Sequence, residues 1–230
     1  MTANKLKFIA CVSMLIDHIG FIFLPDVLLL RYIGRLAMPI FAFFIGEGCR
    51  YTHNRTKYFL RVFALALVCQ LAFTAEEIIN GTFSEIYLNV LFTFCLAMPL
   101  CFAVLAAKRN VKRGVPLIAA SLGLCVFFCF FAGRVFGIPV TVDYGIGGVL
   151  LPAFAVLFED RHKKLISYSA GLVLFCALMS SLLPYIWFSL CAIPLICAYN
   201  GERGTKKYKW GFYIFYPVHL ALLYGVSLLI

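Results

Sequence analysis

Charge is what this chain has least of. Only 13% of its 230 residues are Asp, Glu, Lys or Arg, where a soluble domain carries roughly 25%. That shortage excludes a water-soluble fold, and the gaps between apolar runs, at most about a dozen residues, exclude a separate extramembrane domain. Also missing are a Gly-rich nucleotide loop, a nucleophilic Ser motif and any metal-ligand spacing, so no resident metal is expected. The first apolar run follows Lys5 and Lys7 but is interrupted by Asp17 and His18 with no small-residue cleavage site after it. It is therefore expected to stay as a helix rather than leave as a signal peptide. No internal repeat stands out.

What the chain has instead is apolar bulk, 63% hydrophobic with a mean hydropathy of +0.97. Its ten cysteines lie within or at the ends of apolar runs and read as small apolar filler. A transmembrane helix needs about 20 residues. Closing each apolar run at a charge cluster, Gly or Pro predicts an all-α, polytopic transmembrane helical bundle of about nine spans, a single integral membrane domain over residues 1–230. The spans run from Phe8 to Leu24, Leu28 to Gly46, Tyr58 to Ala75, Leu88 to Ala107, Val115 to Gly133, Gly145 to Phe158, Leu165 to Leu183, Tyr185 to Tyr199 and Gly211 to Ile230. The sixth and eighth are short for a full crossing.

The net charge of +10 does not indicate nucleic acid, because the basic residues come in short clusters between apolar runs. Lys and Arg stay on the cytoplasmic side of short loops. Alternate loops hold 17 of the 20 basic residues: Lys5 and Lys7; Arg50, Arg55, Lys57 and Arg61; Lys108, Arg109, Lys112 and Arg113; Arg161, Lys163 and Lys164; Arg203, Lys206, Lys207 and Lys209. The opposite loops hold Asp26 with Arg31, then Glu76, Glu77 and Glu85, then Arg134 with Asp143. The expected topology is amino terminus inside and carboxyl terminus outside, in the cytoplasmic membrane.

Ionisable groups inside a span cost at least ~2.5–3.5 kcal/mol each, so each marks a site or a buried partner. Asp17 and His18 lie about 15 Å from the inner boundary at 1.5 Å per residue. Arg35 enters from the other side, between Gly34 and Pro39, and Asn89 and Asp143 lie at a similar outer depth. Together these residues could line one outward-facing cavity. The plainer alternative is that Arg35 neutralises Asp17 or Asp143 and His18 is a hydrogen-bonded core histidine. Adjacent helix positions face about 100° apart, so Asp17 and His18 need separate partners. Two chemistries fit: His18 as general base with Arg35 stabilising anions, or a proton relay through Asp17, His18 and Asp143.

Other signals are weaker. Glu47 and the basic residues Arg50, Arg55, Lys57 and Arg61 form an inner cluster that could hold phosphates or face lipid headgroups. Tyr208, Trp210, Tyr213 and Tyr216 read as interfacial anchors. His219, after Pro217, reads as a packed histidine.

The run Leu15-Ile16-Asp17-His18-Ile19-Gly20, then Tyr32-Ile33-Gly34-Arg35-Leu36-Ala37-Met38-Pro39-Ile40-Phe41, then Glu47-Gly48 with Arg50, Thr52 and Asn54, resembles the TraX family. The likeness continues through Lys57-Tyr58 and Arg61, Leu88-Asn89-Val90-Leu91-Phe92-Thr93, Asp143-Tyr144-Gly145 with Gly148, and Lys209-Trp210 to Phe215-Tyr216-Pro217-Val218-His219-Leu220. Its named member acetylates the amino terminus of conjugative pilin. The resemblance implies an acetyltransferase with acetyl-CoA as donor, His18 as catalytic residue supported by Asp17 and Arg35, and CoA held at Arg50, Arg55, Lys57 and Arg61. Glu47, Asn89, Asp143, Tyr144 and His219 are then expected to line the substrate cavity. The expected partners are acetyl-CoA, membrane lipid and an exported peptide, pilin-like or envelope-sugar acceptor, with no nucleic acid. A small proton-coupled transporter and a structural subunit are the competing classes.

Overall fold

A computed structural model describes residues 1–205 and 209–227, apart from the side chains of Glu76, Lys209 and Trp210. Lys206, Lys207, Tyr208 and the last three positions of the ninth expected span lie outside the described residues, as do those side chains.

Each expected apolar run is helical. In chain order these are α1 (Ala3–Ile22), α2 (Leu28–Gly34), α3 (Ala37–Tyr51), α4 (Arg55–Ile79), α5 (Val90–Arg109) and α6 (Val111–Val126). A π-helical turn (Phe127–Phe131) then leads into α7 (Ala132–Phe136), followed by α8 (Gly145–Phe154) and α9 (Arg161–Met179). A 3₁₀ stretch (Pro184–Cys191), α10 (Ala192–Cys197) and α11 (Lys209–Ser227) complete the order. Among the described residues four stretches are long and apolar enough to cross a membrane: Leu28–Tyr51, Arg55–Ile79, Val90–Arg109 and Val111–Phe136. With mostly helical backbone and apolar faces turned outward, such as Leu71 and Ile166, this is a membrane protein. The sixth run gives a helix of only 10 residues, and the eighth begins as 3₁₀ rather than α-helix.

The second run is not one helix. It breaks between Gly34 and Ala37, because Pro39 has no N–H to offer the carbonyl four residues earlier and Gly34 carries no side chain to stiffen the turn. A second feature absent from the sequence reading is a two-stranded parallel ribbon, β1 (Ile86–Leu88) paired with β2 (Val140–Val142).

Internal packing defines two compact units. The first comprises Met1–Phe44 and the chain from Leu172 onward; the second is Ile45–Gly171. In the first, α1 packs on α2 and α11. Its amino-terminal segment is stitched to the loop before α11: Met1 O accepts from Asn200 N–H at 2.9 Å, and Ala3 N–H donates to Glu202 O at 2.8 Å. In the second, α5 is central and packs on α4, α6 and α8. Its core is Leu96, Ala97, Cys125, Val142 and Val149. Helices α5 and α6 form a hairpin turned by Asn110 alone, whose Oδ1 accepts from Arg113 N–H at 3.2 Å. The hairpin closes tightly because Gly114 has no side chain, and a Cβ there would lie 2.1 Å from Ala107 Cα.

Candidate functional site

In the first unit the break in the second run faces the middle of α1. Arg35 Nη2 donates to both carboxylate oxygens of Asp17 at 2.6 Å, and Arg31 Nη1 reaches Asp17 Oδ2 at 3.0 Å. Arg35 is 3% exposed and Asp17 9%, so this is an ion cluster removed from water. Gly34 makes it possible, because a Cβ there would sit 2.1 Å from Asp17 Oδ1. Two guanidiniums thus share this one carboxylate. Each also lies over an aromatic ring: Tyr185 is 5.5 Å from the Arg35 guanidinium and Phe21 5.1 Å from that of Arg31. By sequence Arg31 counts only among the outer-loop charges. Its position four before Arg35, hence on the same helix face, was the signal available.

His18, next along α1, looks elsewhere, as its position about 100° around the helix requires. Its Nδ1 lies 2.8 Å from Met14 O and 3.3 Å from Nε2 of His219, 201 residues away in α11. His219 Nδ1 in turn lies 2.7 Å from Phe215 O, and its ring stacks on Phe215 at 4.7 Å between centroids. A carbonyl has no proton to give, so a ring nitrogen within hydrogen-bond reach of one must carry the hydrogen. Both neutral rings are therefore Nδ1–H tautomers. His219 Nε2 presents its lone pair to the His18 Nδ1–H, while His18 Nε2 keeps its own lone pair with no hydrogen bond among the described residues. A bare imidazole nitrogen can take a proton from an attacking amine or hydroxyl, and guanidiniums beside it can stabilise the oxyanion that results.

The second unit contains two further polar groups. At one end Glu47 Oε1 accepts from Lys164 Nζ at 2.7 Å, with both residues buried. Arg50 lies 3.9 Å from the same oxygen and donates to Phe158 O at 2.6 Å and Ala155 O at 3.2 Å, satisfying carbonyls past the end of α8. Arg50, expected among the CoA ligands, is thus engaged within the fold. Arg55 and Lys57 are exposed, with the Arg55 guanidinium 5.3 Å from the Phe102 ring, and Arg61 is half-buried. Lys164 was not singled out in the sequence, although a buried Glu47 demanded a cation from somewhere.

At the β-ribbon, Asn89 is 3% exposed and fully committed. It donates to Ala66 O and Gln70 Oε1 at 3.1 and 3.0 Å and caps α5 by accepting from Leu91 N–H at 3.0 Å. Asp143 accepts from the Tyr87 hydroxyl at 2.8 Å, and its carbonyl accepts from Thr93 Oγ at 2.6 Å. Tyr144 follows with φ of 57°, a left-handed conformation that costs a non-glycine residue of order 1–3 kcal/mol. Within the first unit, then, the expected site residues Asp17, Arg35, His18 and His219 meet in two adjoining pairs. Within the second, Asn89 and Asp143 belong to the ribbon network and Glu47 to the Lys164 pair.

The profile of the family described as TraX protein matches residues 2–227. A probable fimbrial assembly protein, FimC, of Dichelobacter nodosus is 30% identical over 96% of this chain and 94% of its own length. An uncharacterized protein of Rickettsia prowazekii, RP591, is 51% identical over 84% of this chain and 67% of its own. No solved structure matches.

Proposed function

Because the chain belongs to the TraX family, we propose that it is a membrane-embedded acyltransferase moving an acetyl group from cytoplasmic acetyl-CoA to an amine or hydroxyl at the outer face of the cytoplasmic membrane. The fimbrial-assembly name of the Dichelobacter relative favours an exported, pilin-like peptide over an envelope sugar as acceptor. The reading extends to a single multi-pass domain of about nine crossings, amino terminus inside.

The observation that carries it is the Nε2 of His18, which has no hydrogen bond among the described residues, on the residue next to the cluster in which Arg31 and Arg35 share the Asp17 carboxylate. The acceptor nitrogen or oxygen attacks the thioester carbonyl carbon, and His18 Nε2 takes the proton it sheds. The carbonyl oxygen gains negative charge in the tetrahedral state, which the Arg31–Asp17–Arg35 cluster favours; collapse breaks the C–S bond and releases CoA. With Arg50 engaged by Glu47 and the carbonyls past α8, phosphate recognition falls to Arg55, Lys57 and Arg61, and Glu47 acts by fixing Lys164 and Arg50. Asn89, Asp143 and Tyr144 are assigned to acceptor recognition from the ribbon of the second unit.

The test is acetyl-CoA-dependent thermal stabilisation of the purified protein alongside thiol release, for wild type and His18→Ala. A ligand bound at 100 times its Kd adds about 2.7 kcal/mol of stability. Stabilisation of both proteins with thiol release from wild type alone is the expected result. Neither effect in folded wild type would move the assignment to a proton-coupled transporter, the reading that a buried ion cluster beside two imidazoles favours next.

A further inference from the structure

His219 has a more active part than lining a cavity. We propose that His18 and His219 form a two-imidazole proton relay in which the proton taken up at His18 Nε2 is matched by transfer of the His18 Nδ1 proton to His219 Nε2. The inference rests on the acyl-transfer reading for the source of that proton, and on the 3.3 Å separation of the two nitrogens for its path.

The tautomers make the path one-directional at rest. His18 Nδ1–H is held toward Met14 O, and His219 Nδ1–H is fixed by Phe215 O, so the lone pair of His219 Nε2 is the group in line to receive the His18 Nδ1 proton. When the acceptor N–H or O–H gives its proton to His18 Nε2, the N–H bond at His18 Nδ1 breaks and one forms at His219 Nε2. His18 ends neutral with its hydrogen on Nε2, and His219 ends as the imidazolium. The reverse transfer returns the Nδ1 proton to His18 and frees the Nε2 proton for the departing thiolate. No oxidant or further reactant is needed, and proton count is conserved at every stage.

The location of the resulting charge explains the arrangement. The charged groups that act on His18 are Asp17, Arg31 and Arg35. The Asp17 carboxylate is already shared by the two guanidiniums, and the transfer carries the new positive charge off His18 and onto the second ring. His219 is 4% exposed, and its imidazolium would be stacked on Phe215, a face suited to a cation. In this scheme His219 stands where serine hydrolases place a carboxylate behind the histidine, but with a neutral base that must accept the proton outright.

Two measurements on the full-length protein in lipid nanodiscs test this. The first is nitrogen NMR of ¹⁵N-histidine-labelled protein carrying His53→Gln and His162→Gln, which leaves only the two rings in question. The expected spectrum has Nδ1 protonated and Nε2 bare on both rings at neutral pH, and on acidification one proton whose uptake moves both rings together. Independent titration of the rings, or a resting proton on His18 Nε2, would overturn the relay. The second is thiol release by His219→Gln, whose amide oxygen can accept the His18 Nδ1–H but cannot be protonated. The relay predicts a fall in kcat of about 10²-fold with KM unchanged, whereas a rate near wild type would show that His219 only orients His18 and would sink the relay. Absence of thiol release in wild type would remove the acyl-transfer reading instead, leaving the shared proton in the NMR titration to decide the relay. That titration needs no variant at either ring, so a misfolded His219→Gln would not remove the test.

Discussion

Asp17→Asn should be the most damaging single change in the first unit, and the reason is arithmetic of charge. The carboxylate receives two contacts of 2.6 Å from Arg35 and one of 3.0 Å from Arg31. Its removal takes away the carboxylate that both guanidiniums share, and removing one partner of a buried pair costs about 3–5 kcal/mol. Arg31→Met, by contrast, leaves the Asp17–Arg35 pair intact and neutral. It loses one contact at a side chain 16% exposed and one bond to the Asp17 carbonyl, about 1 kcal/mol. Thermal unfolding in nanodiscs, followed by tryptophan fluorescence, reads the difference. At about 2–4 °C per kcal/mol for chains of 150–250 residues, Asp17→Asn is expected to melt about 6–20 °C below wild type and Arg31→Met within about 4 °C of it. Equal losses from the two variants would refute this reasoning, because the asymmetry follows from two guanidiniums sharing one carboxylate.

Two other changes probe the second unit. Glu47→Gln strands the buried Lys164 ammonium and should lower stability by about 3–5 kcal/mol, with Lys164→Met in the same background restoring most of it; unchanged unfolding of the single variant would mean the pair contributes nothing. Asp160 lies outside the helices, and Lys163 N–H donates to its Oδ1 at 2.9 Å, holding the carboxyl below its usual range. A carboxyl depressed in the folded state stabilises above its unfolded pKa and loses that contribution as pH falls through the folded value. Asp160→Asn should therefore melt below wild type at neutral pH and converge with it below about pH 4, as differential scanning calorimetry over pH would show; a constant gap at all pH values would rule the charge out as the cause.

The helical runs were legible because hydrocarbon allows so few alternatives. A backbone in lipid must satisfy its own hydrogen bonds, so apolar length and flanking charge nearly define each helix. The same logic made Asp17 and His18 visible, since an ionisable side chain within a span is costly enough to need a reason. What could not be read was pairing. Arg31 counts with the outer-loop charges, yet it helps hold Asp17. His219 read as a packed histidine, and nothing local announces a partner 201 residues earlier. The β-ribbon is built from two three-residue segments far apart in the chain, too short for any periodicity to register. The break after Gly34 was hidden because hydropathy counts composition and not hydrogen bonds, so a broken helix and a continuous one score alike.

That break and the ion cluster depend on one another. Opening a helix in an apolar setting leaves carbonyls without partners, each costing several kcal/mol if left so. Here Arg31 O is taken by Arg35 Nε at 3.2 Å and Ile33 O by the Ser13 hydroxyl at 2.6 Å. The guanidinium that closes the end of α2 with one nitrogen grips Asp17 with another, so a single side chain satisfies a backbone defect and supplies the charge. Lysine could offer the charge but not the fork, since its donors radiate from one nitrogen. The arginine is therefore required at this position for the fold before any chemistry is considered. The glycine before it is required by the same contact, because only its missing Cβ lets the carboxylate come within reach of that fork.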